Sequence, residues 1–404
     1  MPRPDRHSAL LIALAAAGCA AGSSAGSSTT SPAAGTAATA PAAAAGTPGG
    51  EAGYLVGVAS ESGDIVTWLR PGAGTLAVDR VVPVGIMPAD IDGPHNVAVA
   101  PDQKSYYVTI AHGTPYGTLW RLDAATDTVI GRAQVELFPT TIALTPDGEL
   151  AFVANSDFHG DRPRINPVSV VHTPTMTTVA DLPACDMPHG VKVNHAGTKA
   201  YVSCMHSDEI LELDISTLSI ARRGRTGAGH PELTVAGAAG AGTGAAHAAH
   251  AATTPAAGGA AVCSPTFVTV SLDDRRLFVA CNSGNTLQVW DAATMARVGE
   301  VPVGKGAYNA EPSPDGRLVV VTNKKEKTVS IVDAETLKEI ARIPTSKPFV
   351  HGVAFAPDGR YVYISSESVG ADPGAVDMID LAQRKVVATI AVPAQPTGIT
   401  TQRR

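Results

Sequence analysis

Gly352-Val353-Ala354-Phe355-Ala356-Pro357-Asp358-Gly359-Arg360-Tyr361-Val362-Tyr363-Ile364 writes a strand, a tight turn and a second strand in succession. Apolar alternation suits a pleated sheet, where successive side chains point to opposite faces. Pro357 presets φ, the Asp358 side chain caps the turn, and Gly359 reaches positive φ without strain. Five more segments align on this turn: Pro101-Asp102-Gln103, Pro146-Asp147-Gly148, His195-Ala196-Gly197, Leu272-Asp273-Asp274 and Pro314-Asp315-Gly316. An alternating strand precedes each, as in Asn96-Val97-Ala98-Val99-Ala100. An aromatic or apolar strand follows, as in Tyr106-Tyr107-Val108-Thr109 and Leu277-Phe278-Val279-Ala280. A third strand ends in Asp, at Asp123, Asp214, Asp291 and Asp333. A fourth, such as Ala341-Arg342-Ile343-Pro344, comes after a short Thr-containing turn.

Four short antiparallel strands recurring about every 45 residues are the signature of a propeller blade. The expected fold is all-β: a seven-bladed β-propeller of four-stranded antiparallel blades, closed by the C-terminal strand completing blade one. Tyr54-Leu55-Val56-Gly57 matches a second strand with no first strand before it. Pro396-Thr397-Gly398-Ile399-Thr400-Thr401 matches a first strand with nothing after it. Joining the two removes the exposed sheet edges that invite aggregation. Tyr201-Val202-Ser203-Cys204, Phe152-Val153-Ala154-Asn155 and Phe278-Val279-Ala280-Cys281 resemble the YVTN β-propeller repeat family. The resemblance covers essentially residues 54–401 and implies the fold, not an activity.

Residues outside the repeat predict the address. Arg3 and Arg6 precede an apolar run from Ala9 to Ala17, which ends at Gly18-Cys19. This reads as a signal peptide over 1–18. Its end resembles a bacterial lipobox, with Cys19 as the lipidated residue. Residues 19–53 then form an Ala/Gly/Ser/Thr/Pro tether, and 54–404 the propeller. The expected location is extracytoplasmic, with the chain lipid-anchored to a bacterial membrane, in the periplasm or at the cell surface. A net charge of −7 argues against a nucleic-acid partner, and a monomer is expected. The turns at His195 and Leu272 are 77 residues apart, against 42 to 49 elsewhere. The excess is a Gly/Ala-rich insertion at about 224–261, which carries His230, His247 and His250.

Six residues before each turn stand His95, Thr140, His189, Thr266, Tyr308 and His351. That place is the head of the innermost strand, near the axis on the top face. His112 and His206 follow the second strands of blades two and four on the same face. Five imidazoles in one region form a candidate metal site, since imidazole binds transition metals and haem iron. Packing between blades is the alternative reading. Cys185 and Cys204 are 19 residues apart, and Cys263 and Cys281 are 18 apart, at matching places in blades four and five. Two in-blade disulfides, 185–204 and 263–281, suit an exported chain. A Cys185/His189/Cys204/His206 metal cluster and a Cys204–Cys281 bridge are the alternatives. Trp68, Trp120 and Trp290 read as packing residues on third strands. Asp157, His159, Asp161 and Arg162 form a polar loop in blade three.

Three functions follow. One is a cell-envelope binding or scaffold module, its top face meeting a protein or small ligand. Another is a metal- or haem-associated redox protein, with copper, zinc or haem as cofactor. The fold is similar to the haem d1-carrying domain of cytochrome cd1 nitrite reductases, whose propeller uses top-face histidines. The last is a lactonase-like hydrolase. It needs an acid and a base at the pore, for which Glu311 and Lys192 share a repeat position.

Overall fold

The structure is a computed structural model that describes residues 53–86, 91–112, 115–158, 165–227 and 262–404. The signal peptide, Cys19, the tether, His159, Asp161, Arg162, His230, His247 and His250 lie outside the described residues. Gly224 and Arg225, at the start of the expected insertion, instead belong to the strand Ser219–Arg225 of blade four.

The described residues build seven four-stranded antiparallel sheets, and the fold is a seven-bladed β-propeller. Blade one is assembled from both ends of the repeat. Pro396–Arg403 is its inner strand, followed outward by Tyr54–Ser60, Ile65–Gly72 and Thr75–Pro83. Closure runs from Tyr54 opposite Arg403 to Ser60 opposite Pro396. The other inner strands are Pro94–Val99, Pro139–Leu144, Pro188–Val193, Pro265–Val270, Ala307–Pro312 and Phe349–Phe355, in blades two to seven. Each packs against the next around the ring.

Both faces of every blade are covered, so second strands such as Ser105–Ile110 are buried along their whole length. The core is seven separate apolar clusters, one between each pair of neighbouring blades. Trp68 of blade one, for example, meets Tyr106 of blade two edge-on at 5.1 Å. The inner turns have the expected chemistry. Gly148, Gly316 and Gly359 sit at φ of 75°, 70° and 71°, and Gln103 and Asp274 take the same place at 62° and 57°. The Asp residues ending third strands cap the following turn, as Asp333 does by accepting from the Thr336 N–H at 2.7 Å.

Every blade breaks its ladder at the head of the inner strand, as between Pro94 and Asn96 or Pro188 and Val191. A bulge there frees one backbone N–H from the ladder. In blades two, four, six and seven a second-strand hydroxyl takes that proton at 2.9 Å. Thr109 accepts from Asn96, Ser203 from Gly190, Thr322 from Asn309 and Ser365 from Gly352. In blades three and five the second strand has Ala instead, and an inner-strand hydroxyl donates back to that strand. Thr140 donates to the Ala154 carbonyl at 3.0 Å and Thr266 to the Ala280 carbonyl at 3.3 Å.

Ser365→Ala tests this account. It leaves the Gly352 N–H without its acceptor in a buried site, so the unfolding free energy should fall by about 1–3 kcal/mol. Urea melts read the change as a lower midpoint at constant slope. An unchanged midpoint would show that the bulge needs no hydroxyl.

Candidate functional site

The head of each inner strand supplies one residue, and these take two roles. Thr397, Thr140 and Thr266, in blades one, three and five, hydrogen-bond the backbone of the following blade. They donate to the carbonyls of His95 at 2.7 Å, His189 at 2.9 Å and Tyr308 at 2.5 Å. The four rings in between, His95, His189, Tyr308 and His351, gather on the axis. His95 lies 6.1 Å from His189 and 5.6 Å from His351, ring centre to ring centre. Tyr308 lies 5.4 Å from His189 and 4.5 Å from His351. All three imidazoles are buried. The crowding is backbone against backbone: a Cβ on Gly190, the residue after His189, would sit 2.8 Å from the Phe267 Cα.

A second tier of charge flanks these rings. Glu61, in the turn Glu61–Gly63 after the first strand of the chain, is buried between two imidazoles. Its carboxylate accepts from His95 Nδ1 at 2.6 Å and meets His112 Nε2 at 2.7 Å. Burial opposes its charge, but attraction to His95 and the hydrogen bonds from both imidazoles bring its carboxyl down to about 2. The same hydrogen bond raises His112. Across the cluster, Lys324 pairs with Glu367 at 2.7 Å and lies 4.4 Å from the centre of the Tyr308 ring. Phe138 packs against His95 at 5.6 Å and His112 at 5.3 Å, and then against the half-exposed Phe158 at 5.5 Å.

Hydrogen bonds fix what each imidazole offers. A carboxylate or carbonyl only accepts, so His95 donates Nδ1–H to Glu61 and His189 donates Nδ1–H to the Thr266 carbonyl at 2.9 Å. His189 Nε2 then faces the Tyr308 hydroxyl at 3.0 Å. His95 Nε2 and His351 Nδ1 are buried with no hydrogen-bond partner among the described residues. Burial first, and then the neighbouring His95, lower His189 to about 3. Burial, with Lys324 next, puts His351 well below its ordinary value. Both are therefore neutral near pH 7, the form that coordinates metal.

The sequence-predicted residues divide. His95, His189 and His351 converge, and His112 joins them through Glu61. His206 does not: its side chain is 58% exposed and stands 3.6 Å from Asp186. Among the described residues no group of three His, Cys, Asp or Glu side chains is arranged to hold a bare metal ion. Cys185 is bonded to Cys204 and Cys263 to Cys281, with Cα separations of 6.0 and 4.6 Å. These thiols are not metal ligands here. Below the rings the seven inner strands enclose a channel cavity of about 530 Å³. In it Lys192 of blade four meets Glu311 of blade six at 2.7 Å. Sequence reasoning missed Glu61, Lys324 and Glu367. Glu61 and Lys324 directly follow second strands and Glu367 ends one, so scanning that repeat position for charge would have found them.

Residues 256–351 match the cytochrome D1 heme domain family. Within that span lie Tyr308, Glu311, Lys324 and His351. The chain is also similar in structure to Kuenenia stuttgartiensis hydrazine synthase, with a TM-score of 0.59 and 19% identity over 78% of this chain and 93% of that one. A functionally unknown protein from Desulfotomaculum acetoxidans DSM 771 superposes with a TM-score of 0.63 and 14% identity, over 85% of this chain and 98% of its own. At these identities the structural likeness is one of fold.

Two titrations should read this electrostatics. Unfolded His189 takes a proton near 6.5 and folded His189 only near 3, so its contribution to stability is present above pH 6.5 and lost progressively as pH falls toward 3. Melting temperature should drop across that window, and less steeply in His189→Gln. An equal slope would remove His189 as a source. His112 has the opposite sign. Its contribution is full below 6.5 and lost as pH rises through its raised folded value. In Glu61→Gln the His112 NMR titration should move back down; a titration that stays put would contradict the ion pair.

Proposed function

We propose that this chain is an exported envelope protein that holds an iron tetrapyrrole at the histidine-rich end of its axis. The observation that carries the reading is His95: a carboxylate orients its Nδ1–H, and its Nε2 is buried and unpaired. Metal-ligating histidines characteristically donate their other ring N–H to such a partner, which fixes the ring and strengthens the donor nitrogen. The donor count agrees. A bare zinc site takes three or four protein ligands, whereas iron in a macrocycle needs one or two axial ones. His95 would hold the iron through Nε2, and His351 is the second buried imidazole with a nitrogen unpaired among the described residues. Phe138 and Phe158 supply apolar surface beside them. The partial match to the cytochrome D1 heme domain family supports the same reading.

When bound, such a group supplies one-electron and ligand-exchange chemistry. The chain's own part is to orient His95 through Glu61, to keep His189 and His351 neutral, and to exclude water. Two disulfides favour an oxidising compartment. With the signal-like residues 1–18, the lipobox-like Cys19 and the YVTN-like repeats, they support a lipid-anchored extracytoplasmic protein. The scaffold reading concerns the same face and has no observation of its own. The hydrolase reading is weakened because Lys192 and Glu311 engage each other.

Titration of the exported full-length chain with ferric haem tests the proposal. Saturable uptake near one equivalent, with a shifted visible spectrum, is expected. Glu61→Gln should weaken it about 10- to 100-fold, as loss of an orienting carboxylate does. His95→Ala should abolish the axial-ligand spectrum, and His206→Ala should change nothing. No spectral shift, or equal uptake by His95→Ala, would overturn it.

A further inference from the structure

The haem reading makes no use of Tyr308. The phenol is partly buried beside His189 and His351, and its hydroxyl faces His189 Nε2 at 3.0 Å. The direction of that hydrogen bond is determined. His189 Nδ1 lies 2.9 Å from the Thr266 carbonyl oxygen, which accepts only, so the ring proton sits on Nδ1. Nε2 of the neutral imidazole is a lone pair, and the Tyr308 O–H donates to it. Lys324 Nζ lies 4.4 Å from the centre of the ring, and the His351 ring lies 4.5 Å from it.

We infer that Tyr308 and His189 form a proton-coupled redox pair, in which Tyr308 gives up one electron and His189 takes its proton. The oxidant is a one-electron acceptor, either a metal complex in solution or an iron centre held near the cluster. The balance is simple. The Tyr308 O–H bond breaks, and a proton bonds to His189 Nε2. One electron leaves the phenol for the oxidant, giving a neutral tyrosyl radical, an imidazolium and the reduced acceptor. Coupling is favoured by the surroundings. The Lys324 cation against the ring disfavours a phenol radical cation, which favours losing the proton with the electron. Burial raises the Tyr308 phenol, so deprotonation in advance is also disfavoured. The remaining route moves both together, along a hydrogen bond already in place. His189 is a weak base in this setting, but an oxidised phenol is a far stronger acid than an imidazolium. The imidazolium formed keeps its Nδ1–H bond to Thr266. Near-neutral His351, rather than another cation, lies against the ring.

The inference stands apart from the haem reading, and the test uses an added oxidant. The full chain, free of haem, is oxidised with a photogenerated ruthenium(III) complex and freeze-quenched for electron paramagnetic resonance. A tyrosyl signal is expected, absent in Tyr308→Phe, which deletes only the hydroxyl. Its formation should slow in heavy water. His189→Phe removes the acceptor and should slow it about a hundredfold, the contribution of a positioned base. It should also remove the solvent isotope effect, which a merely structural role would not do. A signal that survives Tyr308→Phe belongs to another of the eight tyrosines and overturns the proposal. So does formation at the same rate in light and heavy water, an outcome readable on the wild-type chain even where His189→Phe does not fold. Failure to bind haem would leave this result untouched.

Discussion

The backbone N–H freed by the bulge at the head of each inner strand shapes the rest of the site. A buried donor needs an acceptor, and in blades two, four, six and seven a second-strand hydroxyl supplies it. Where the second strand carries it, at Thr109, Ser203, Thr322 or Ser365, the inner position is free for a large ring. Where the second strand carries Ala59, Ala154 or Ala280, the inner position is Thr397, Thr140 or Thr266, and its hydroxyl stitches one blade to the next. The choices alternate around the ring, but seven is odd. Blades six and seven both carry rings, so Tyr308 and His351 stand together at 4.5 Å. The cluster is thus a consequence of blade number and hydroxyl placement acting together.

Charge in this region is arranged around a neutral centre. Isolated buried charge is expensive, and the charges here come as groups: Glu61 with His112, Lys324 with Glu367. Between them, His189 and His351 have lost the capacity to protonate near neutrality. Such a site repels added charge but retains unpaired nitrogen lone pairs, a combination suited to a neutral-imidazole ligand rather than to acid catalysis.

Much of this was legible in the sequence because the turn chemistry repeats. Pro-Asp-Gly at Pro146, Pro314 and Pro357 set the register, and counting six residues back from the aligned turns at Pro101, His195 and Pro357 located His95, His189 and His351. The charged tier was not legible by the same means. Its repeat position reads Glu61, Ala111, Ser156, Met205, Asn282, Lys324, Glu367, with no shared chemistry to mark it. That irregularity also explains why two histidines at one repeat position part company. His112 is drawn inward by Glu61 of the preceding blade. The residue in Glu61's place before His206 is Ser156, whose hydroxyl donates to the Pro188 carbonyl at 2.6 Å. With no carboxylate in Glu61's place, His206 turns to Asp186 and solvent.

His95 and His189 carry the argument one step further, because they are nearly the same residue twice. Each heads an inner strand, and each donates Nδ1–H to an oxygen that can only accept. The tautomer is therefore common to both, and Nε2 is the active atom in both. What differs is what Nε2 meets. For His189 it is the Tyr308 hydroxyl, so the lone pair is committed to a proton. For His95 it is nothing among the described residues, so the lone pair is left for a ligand. The acceptor behind the ring differs as well: a neutral carbonyl behind His189, a carboxylate behind His95. The carboxylate makes the better electron donor of the ring it holds. One repeat position has been turned to two purposes by its neighbours alone.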